Sequence, residues 1–596
     1  MTNKSKDYHF FASDFVADRI DVSQLSNKAP QKEVESVGAD DFLPTCEEIR
    51  KFKEYVKVLL ARKLVEHVDA FSWMKSLIPT HVPHARQVEM SKASSIHLLP
   101  IILKNEASYS DCIDIMDACV KHINHWYAKA GRGSELETLQ VPVGGDQLTR
   151  VRLQGAKALR EGTHTVQSRF DQLEPVIVEM FHTLQDFLEK LCRKFLKLDK
   201  GIDKGTLGHL KLVIQRSNVD GKVKVRFKAH EQFVDVVGTS YFLQLTKHMF
   251  GLKDLSDDLK HPDIPPKVNL WHNKKKEEVF HRIMDQLLDN MFIPPVDQKK
   301  KSEADKCNMT VTVEQTKTKL TLPVVNNQIQ VRVGAPGNIF VLTATPTEVE
   351  NGVSVPLPGF TTPVLINKDV SMGDDLHNYV VNFMNWYFVI LVFQDGISEG
   401  NMYLNNITLK FMIPFFYSHS SLSKYMSECI DYILKTEIML SSRMAMKVRA
   451  ASFVNPTGRQ GHNKAADMQK ENQVLVLKGL IKGLGANKTE KSIVKISKVA
   501  PVVESISDNV VSLTKSADYH TSHRQRSSSD DIKEILSVLQ TSNPWIVTPG
   551  RQLKGFQGIS QTPFSFNVQQ MRNSIQTNVD RLKRGVVFVP DDDEVE

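Results

Sequence analysis

At 596 residues the chain is long enough for about three to four domains. Its 41% hydrophobic and 24% charged content excludes wholesale disorder, and 29 glycines and 25 prolines are too few for collagen-like or low-complexity sequence. A net charge of +7 and a pI near 8.8 permit a nucleic-acid partner without requiring one, because a binder shows its charge as a local stripe.

The six cysteines (Cys46, Cys112, Cys119, Cys192, Cys307 and Cys429) are scattered without tight spacing. Such usage fits a reduced, intracellular protein, nuclear or cytoplasmic, better than a disulfide scaffold. Asp7, Asp14 and Asp18 interrupt the N-terminus, so no signal peptide is expected there. The longest apolar stretch, Tyr379 to Phe393, contains Asn382 and Asn385. It is short for a bilayer core of about 30 Å, so a buried core helix is expected and no membrane partner.

In chain order, residues 47–77 carry Phe52, Val56, Leu59, Leu60 and Leu64 at three- and four-residue spacing. That spacing predicts an amphipathic helix, ended by Pro79 and Pro83. A second helix fits Tyr109 to Tyr127. Residues 137–143 read as a short strand running into Gly144-Gly145-Asp146. Helix is predicted from about Leu148 to Arg160, from Ser168 to Leu198, and again over 226–250 and 277–291. From Lys299 the texture turns to period-two alternation broken by Gly and Pro, which predicts strands up to about residue 372. Helix returns from Asp374 to Ala500. Beyond Lys515 a polar, mobile tail with one short helix near 530–540 is expected.

The predicted fold is mostly α, with a small α/β core and a small β insert. Its expected parts are an N-terminal remnant of the core (1–42), the α/β core (43–200), a helical insertion (201–298), the β-rich insert (299–372), a helical region (373–510) and the tail (511–596).

Several standard motifs fail. The stretch Gly483 to Ser492 lacks the Gly-Lys-Ser/Thr ending of a phosphate loop. His230-Glu231 opens a zinc-protease pattern, but Val234 stands where the second His must be. Cys112, Cys119, His122 and His125 share one predicted helix, and one helix rarely wraps a tetrahedral ion.

Three features are more informative. Asp146 follows a strand and two glycines, which places a carboxylate at a sheet's carboxyl edge; the simpler reading is a turn Asp capping the next helix. Arg150, Lys157 and Arg160 fall near one face of that helix, either as a phosphate-binding stripe or as a solvated face. Finally, Phe453 to Lys478 joins a Gly- and Pro-rich loop holding Arg459 and His462 to a helix on which Asn463, Asp467 and Glu471 recur every four residues. Two like charges at that spacing cost an isolated helix roughly 0.2–0.5 kcal/mol. A bound cation would reverse the penalty, Lys470 would offset part of it, and a solvated acidic face is the alternative. Asn487 and Glu490 are placed to cap the following helix.

The segments GGDQLTRVRLQGAKALR (144–160), EMSKASSIHLLPIILKNE (89–106), RAASFVNPTGRQGHNKAADMQKEN and LGANKTEKSI resemble domain-of-unknown-function family six-five-eight-nine, a multi-copy family with the look of transposon-derived genes. The similarity runs, with breaks, from about Tyr8 to Val510. The resemblance implies a ribonuclease-H-like core with a large helical insertion, in which carboxylates hold two divalent ions for in-line attack on a phosphodiester. It assigns Asp146 as the middle carboxylate and Glu471, or else Asp467, as the helical one, with Mg2+ or Mn2+ held by Asp146 and Glu471. DNA is the implied partner, contacted by Arg150, Lys157, Arg160, Arg459 and His462, with no small-molecule cofactor. Longer members carry an upstream Gly-Asp-Asn element that supplies the first carboxylate, and this chain starts after it. An inactive relic is therefore expected, with a non-catalytic helical scaffold or protein-interaction protein as the alternative.

Overall fold

The computed structural model describes residues 9–200, 203–257, 261–264, 267–295, 373–514 and 528–585, together with the strands between 307 and 367. In chain order the main elements begin with β1 (Asp14–Val16), α1 (Cys46–His67), β2 (Ile96–Leu98), α2 (Tyr109–Lys129), β3 (Val143–Gly145), α3 (Gln147–Ala158), β4 (Val176–Val178) and α4 (Met180–Phe195). Then follow α5 (Phe227–Phe250), α6 (Asn273–Asp289), and the insert strands β5 (Cys307–Val313) to β11 (Val364–Asn367). After the insert come α7 (Asp375–Glu399), α8 (Met402–His419), α9 (Lys424–Leu434), α10 (Ser442–Ala451), β12 (Phe453–Val454) and β13 (Lys464–Ala465). Four helices complete the described chain: α11 (Ala466–Gly483), α12 (Glu490–Thr514), α13 (Ser528–Ser542) and α14 (Val568–Lys583).

The molecule is mostly helical, with a few small sheets. Its centre is α7, the apolar stretch expected to be a core helix. Asp374 caps it by accepting from the Leu376 and His377 amides (both 3.1 Å), and Gly400 ends it at φ 68°, a left-handed position that glycine takes without strain. By length and composition this helix would suffice to cross a membrane, yet 83% of its most apolar window is buried inside the fold. Its two asparagines explain how polar groups survive there. Asn385 donates to Met291 O (2.8 Å) and accepts from Ile293 N (2.8 Å), while Asn382 donates to Ser560 O (2.8 Å). Both thus tie distant segments to the central helix, and a buried polar group is tolerated when so paired.

α1, α4, α5 and α8 pack around α7, and α9 packs on α8. α4 shows why: Phe181, Leu184, Phe187, Leu188, Leu191 and Phe195 fall on one stripe and are all buried. Each such side chain contributes roughly 1.5–3 kcal/mol relative to exposure.

The strands pair in small ladders. β3 and β4 are parallel, in the register Val143↔Val176 to Gly145↔Val178, and α3 crosses between them. β1 pairs antiparallel with β2, and β12 with β13. In the insert, β5 to β8 form a four-stranded antiparallel sheet and the last three strands another, as the alternation predicts. Among the described residues no ladder joins β1 to β3 or β4, so the continuous sheet of a ribonuclease-H-like core is not present there.

Three expectations need correcting. The helix predicted over 168–198 is a strand and a helix, because Pro175 disfavours a continuous helix through it and Val176-Ile177-Val178 is an apolar run buried on both faces. The C-terminal region is no tail as far as residue 585: Ile535, Leu539, Trp545, Met571, Ile575 and Val579 are buried in the main core, and Trp545 Nε1 donates to Tyr241 O (2.8 Å). Scattered apolar residues between polar ones hid this contribution. Residues 515–527 and those beyond 585 lie outside the described residues. The cap of α12 is Thr489, whose hydroxyl accepts from Ser492 N (3.2 Å), not an Asn487–Glu490 box.

Candidate functional site: an acidic cluster at a helix N-terminus

β3 and β4 end side by side, and each hands its chain to a helix through a carboxylate. After β3, Asp146 accepts from Thr149 N (2.7 Å), so it does cap α3. After β4, Glu179 continues the ladder through its amide to Gly145 O (3.0 Å), then leads into α4. The glycines of the Gly-Gly-Asp element make this possible. A Cβ at Gly144 would overlap Glu179 Oε1, and one at Gly145 would stand 2.8 Å from Thr149 Cγ2. Glycine at 144 therefore lets the Glu179 side chain lie across β3.

The third contribution comes from α11. Asp467, in its first turn, accepts from the first amides of α4: Phe181 N to Oδ1 (3.0 Å) and His182 N to Oδ2 (2.9 Å). His182 Nδ1 lies 2.9 Å from the same Oδ2. One turn on, Glu471 Oε1 is 3.9 Å from His182 Nε2. A carboxylate meeting the unpaired amides and positive dipole end of a helix is favourable by general electrostatics. Asp467, buried, is thus a cap supplied from 285 residues away in sequence. Glu471 is exposed.

Two further residues complete the cluster. Asp14, on β1, lies 4.0 Å from Lys470 Nζ. Burial pushes the Lys470 ammonium down to about 8, partly offset by Asp14, and its Nζ has no hydrogen-bond partner. Burial also raises the Asp14 carboxyl, against the pull of Lys470.

The electrostatics single out Glu179. It is 7% exposed, and Oε2 has no hydrogen-bond partner. Burial, followed by the charges of Asp467 and Asp14, pushes its carboxyl well above the usual carboxylate range, which favours its neutral form. His182 moves so as to keep its charge. Burial lowers it, but the hydrogen bond and charge of Asp467, with Asp146 and Glu471 behind them, raise it overall. Asp146 and Glu471, 325 residues apart in number, thus act on one imidazole.

The basic residues fare differently. Arg150 is 1% exposed and forks onto Glu428 (Nη2 to Oε1 2.6 Å), with Asp431 3.9 Å away. Lys157 donates to Phe170 O (2.8 Å) and pairs with Glu174. Arg160 meets Asp117 at 3.5 Å and stands over the Phe170 ring at 5.6 Å. The stripe expected to grip phosphate is an internal brace, and the partners that bury it come from α2, α9 and the approach to β4. Arg459 and His462 are exposed. Their loop is built by Asn455, which accepts from Gly458 N (2.9 Å) and donates to Arg459 O (2.7 Å), with Gly458 and Gly461 at φ 68° and 73°. It docks on the 89–106 segment through Ser94 N to Asn455 O (2.8 Å). Asn463 precedes α11 rather than lying on it. It accepts from Arg19 (3.2 Å) and donates to Ser398 O (3.2 Å), so the predicted polar ridge reduces to Asp467 and Glu471.

Sequence reading missed Asp14, Glu179, His182 and the exceptional state of Lys470. Only Glu179 had a local signal: Pro175 followed by three β-branched residues and an acid matches a strand ending in a carboxylate, as at Asp146.

Neither the curated proteins nor the solved structures include a match to this chain. Residues 32–523 match the family of unknown function DUF6589, and over that span the chain belongs to this family.

Proposed function

We propose that the acidic cluster is a divalent-cation site for phosphodiester chemistry on nucleic acid, in which the cation exchanges for protons. The observation that carries this reading is Glu179: a buried carboxyl, raised well above the usual range, with an orphaned oxygen among the described residues and four other acids acting on it or on the nearby His182. A simple structural acid has no need of that arrangement.

The residues fit an ion in part. Glu179 Oε2 is without a partner, and Asp146 uses one oxygen on Thr149. Asp467 fits poorly, since both its oxygens accept from α4 amides, and Glu471 is the better helical ligand. Among the described residues no three His, Cys, Asp or Glu side chains stand ready-made as an ion-holding group, so side chains must turn and Glu179 must lose its proton. Metal binding of this kind is tighter at higher pH.

A bound Mg2+ or Mn2+ would polarise a phosphoryl oxygen and acidify a water. The chain's own residues have separate roles. Asp467 fixes the N-terminus of α4 and orients His182, and the imidazolium offsets the surplus of negative charge. Lys470 does the same beside Asp14, which brings a carboxylate from the N-terminal strand, the contribution that the sequence reading left empty. The same convergence supports descent from a transposase-like nuclease. The alternative, a non-catalytic helical scaffold, draws its support from Asp467 and Arg150, both committed to internal partners.

Titration with Mn2+ of the wild type, Asp146→Asn and Glu179→Gln separates the two. The cation reading expects saturable binding weakened at least tenfold in each variant, as losing one ligand or its support does. Equal binding by all three proteins, or none by any, leaves the scaffold.

A further inference from the structure

We infer that the aromatic cavity on the other side of β1 from the acidic cluster is a nucleobase pocket. The inference rests on the nucleic-acid part of the reading above, not on its cation. The cavity measures about 410 Å³ and is lined by Phe15, His97, Ile123, Trp126, Tyr127 and Val141. Four of those six side chains carry flat π rings, whose faces stack on any base, and Ile123 and Val141 supply the apolar remainder. Its volume is in the range of small-ligand sites, about 300–1,000 Å³.

The rings are braced. Phe15 and Trp126 meet at 5.3 Å between centroids. His97 stacks on Phe15 at 6.4 Å, and His122 stacks behind Trp126 at 5.8 Å with an interplanar angle of 11°. His97 is itself held by Ser95 Oγ at 2.8 Å. Aromatic walls fixed in this way lose little freedom on binding a flat ligand. Next to it, the Arg132 guanidinium lies 5.5 Å from the Tyr127 ring centroid and is itself forked onto Glu135 (Nε to Oε1 2.6 Å, Nη2 to Oε2 2.7 Å), so it fixes the Tyr127 side of the cavity.

The location chooses the occupant. Phe15 directly follows Asp14, and successive strand residues face opposite ways: Asp14 turns to Lys470 and Glu179, Phe15 to the cavity. Val141 sits in the segment that runs into β3 and Asp146, its amide bonded to Gln172 O (2.8 Å). Two of the four chain segments that wall the cavity, those of Phe15 and Val141, therefore also deliver acids to the cluster. A base held here lies one strand away from the acids. That suits a nucleotide neighbouring the reacting phosphodiester, in single-stranded or extruded form, because a paired base offers no free face.

Fluorescence anisotropy with the full chain, in EDTA, tests this with two labelled single strands of about 12 nucleotides, one ordinary and one abasic throughout. The ordinary strand is expected to bind at least five- to tenfold tighter, and Trp126→Ala to erase that preference while leaving abasic-strand binding unchanged. If Trp126→Ala fails to fold, His97→Ala, at the exposed edge, carries the test and should reduce the preference at least twofold. Equal affinity for the two strands, no binding of either, or a preference that survives in the folded variants overturns the inference. Because EDTA removes cations, the result stands apart from the metal titration.

Discussion

Glu179 and Asp374 are both buried carboxylates at the entrance to a central helix, 7% and 3% exposed, and they are treated in opposite ways. Asp374 has every partner an acid needs: the Leu376 and His377 amides, Thr548 N at 2.8 Å and the Arg551 guanidinium, Nε at 2.7 Å. Burial opposes its ionisation, but those donors outweigh it and hold the carboxyl below the usual range. Among the described residues Glu179 has no ion-pair partner, an orphaned oxygen and two acids acting on it, and its carboxyl is driven up. Burial alone therefore does not separate structure from function. The satisfaction of the acid does: a structural carboxylate is completed within the fold, whereas Glu179 is left in need of something.

The two acids should respond oppositely when challenged. The largest effect is expected at Asp374, where Asp374→Ala strands Arg551 and removes the cap of α7; a loss of about 3–5 kcal/mol, read by urea unfolding, is predicted. A loss under about 1 kcal/mol would show that the Arg551 clamp is not structural. The pH dependences come next. Asp374 is depressed in the folded state, so its stabilisation is present above the unfolded value and is lost as pH falls below about 4. Glu179 is raised, so the unfolded chain releases its proton first. Its contribution is complete below about pH 4.3 and declines as pH rises towards the folded value, by up to about 1.4 kcal/mol per pH unit. Glu179→Gln should remove that decline and be within about 0.5 kcal/mol of the wild type near pH 4. A variant less stable than the wild type at every pH would contradict the upward shift of Glu179.

A smaller effect sharpens the comparison from the side of α11. Asp467→Asn weakens the cap on α4, which costs about 1 kcal/mol, and removes the charge that sustains the His182 imidazolium. His182, raised in the folded protein, should titrate at lower pH in the variant, measurable by NMR of the ring protons. Its stabilising contribution, present below about pH 6.5 and lost as pH rises through the folded value, should shrink accordingly. An unmoved His182 would dissociate Asp467 from the imidazole. The smallest expected change in stability is Arg459→Ala, within about 0.5 kcal/mol for an exposed side chain, and it tests whether this loop, rather than the internal Arg150 brace, contacts nucleic acid. Loss of salt-sensitive binding in that variant would assign the contact; unchanged binding would remove Arg459 from it.

What was legible in the sequence follows the range of each interaction. The amphipathic stripe of α1, the buried run of α7 and the alternation of the insert depend on neighbours within a few residues, and these elements form as read. Asp146 was visible because two glycines mark its turn. Glu179 is obscured because the apolar residues of 168–198 fit helical spacing, a pattern that a short buried strand leading into a helix also produces; Pro175 is the sign against it. Arg150 shows the reverse error. Its helical position is as predicted, but Glu428, the partner that buries it, lies 278 residues on and no local pattern announces it. Asp14, in an interrupted N-terminal stretch, and His182, one turn into a core helix, matter only through Lys470 and Asp467, residues that the fold brings from the other end of the chain.

The most direct test of the central claim is calorimetric titration of Mn2+ into the protein in two buffers of different ionisation enthalpy, near neutral pH. If Glu179 is a neutral acid that a cation must deprotonate, binding should release about one proton in the wild type and none from this source in Glu179→Gln. Binding without proton release, or release that is identical in the variant, would contradict it.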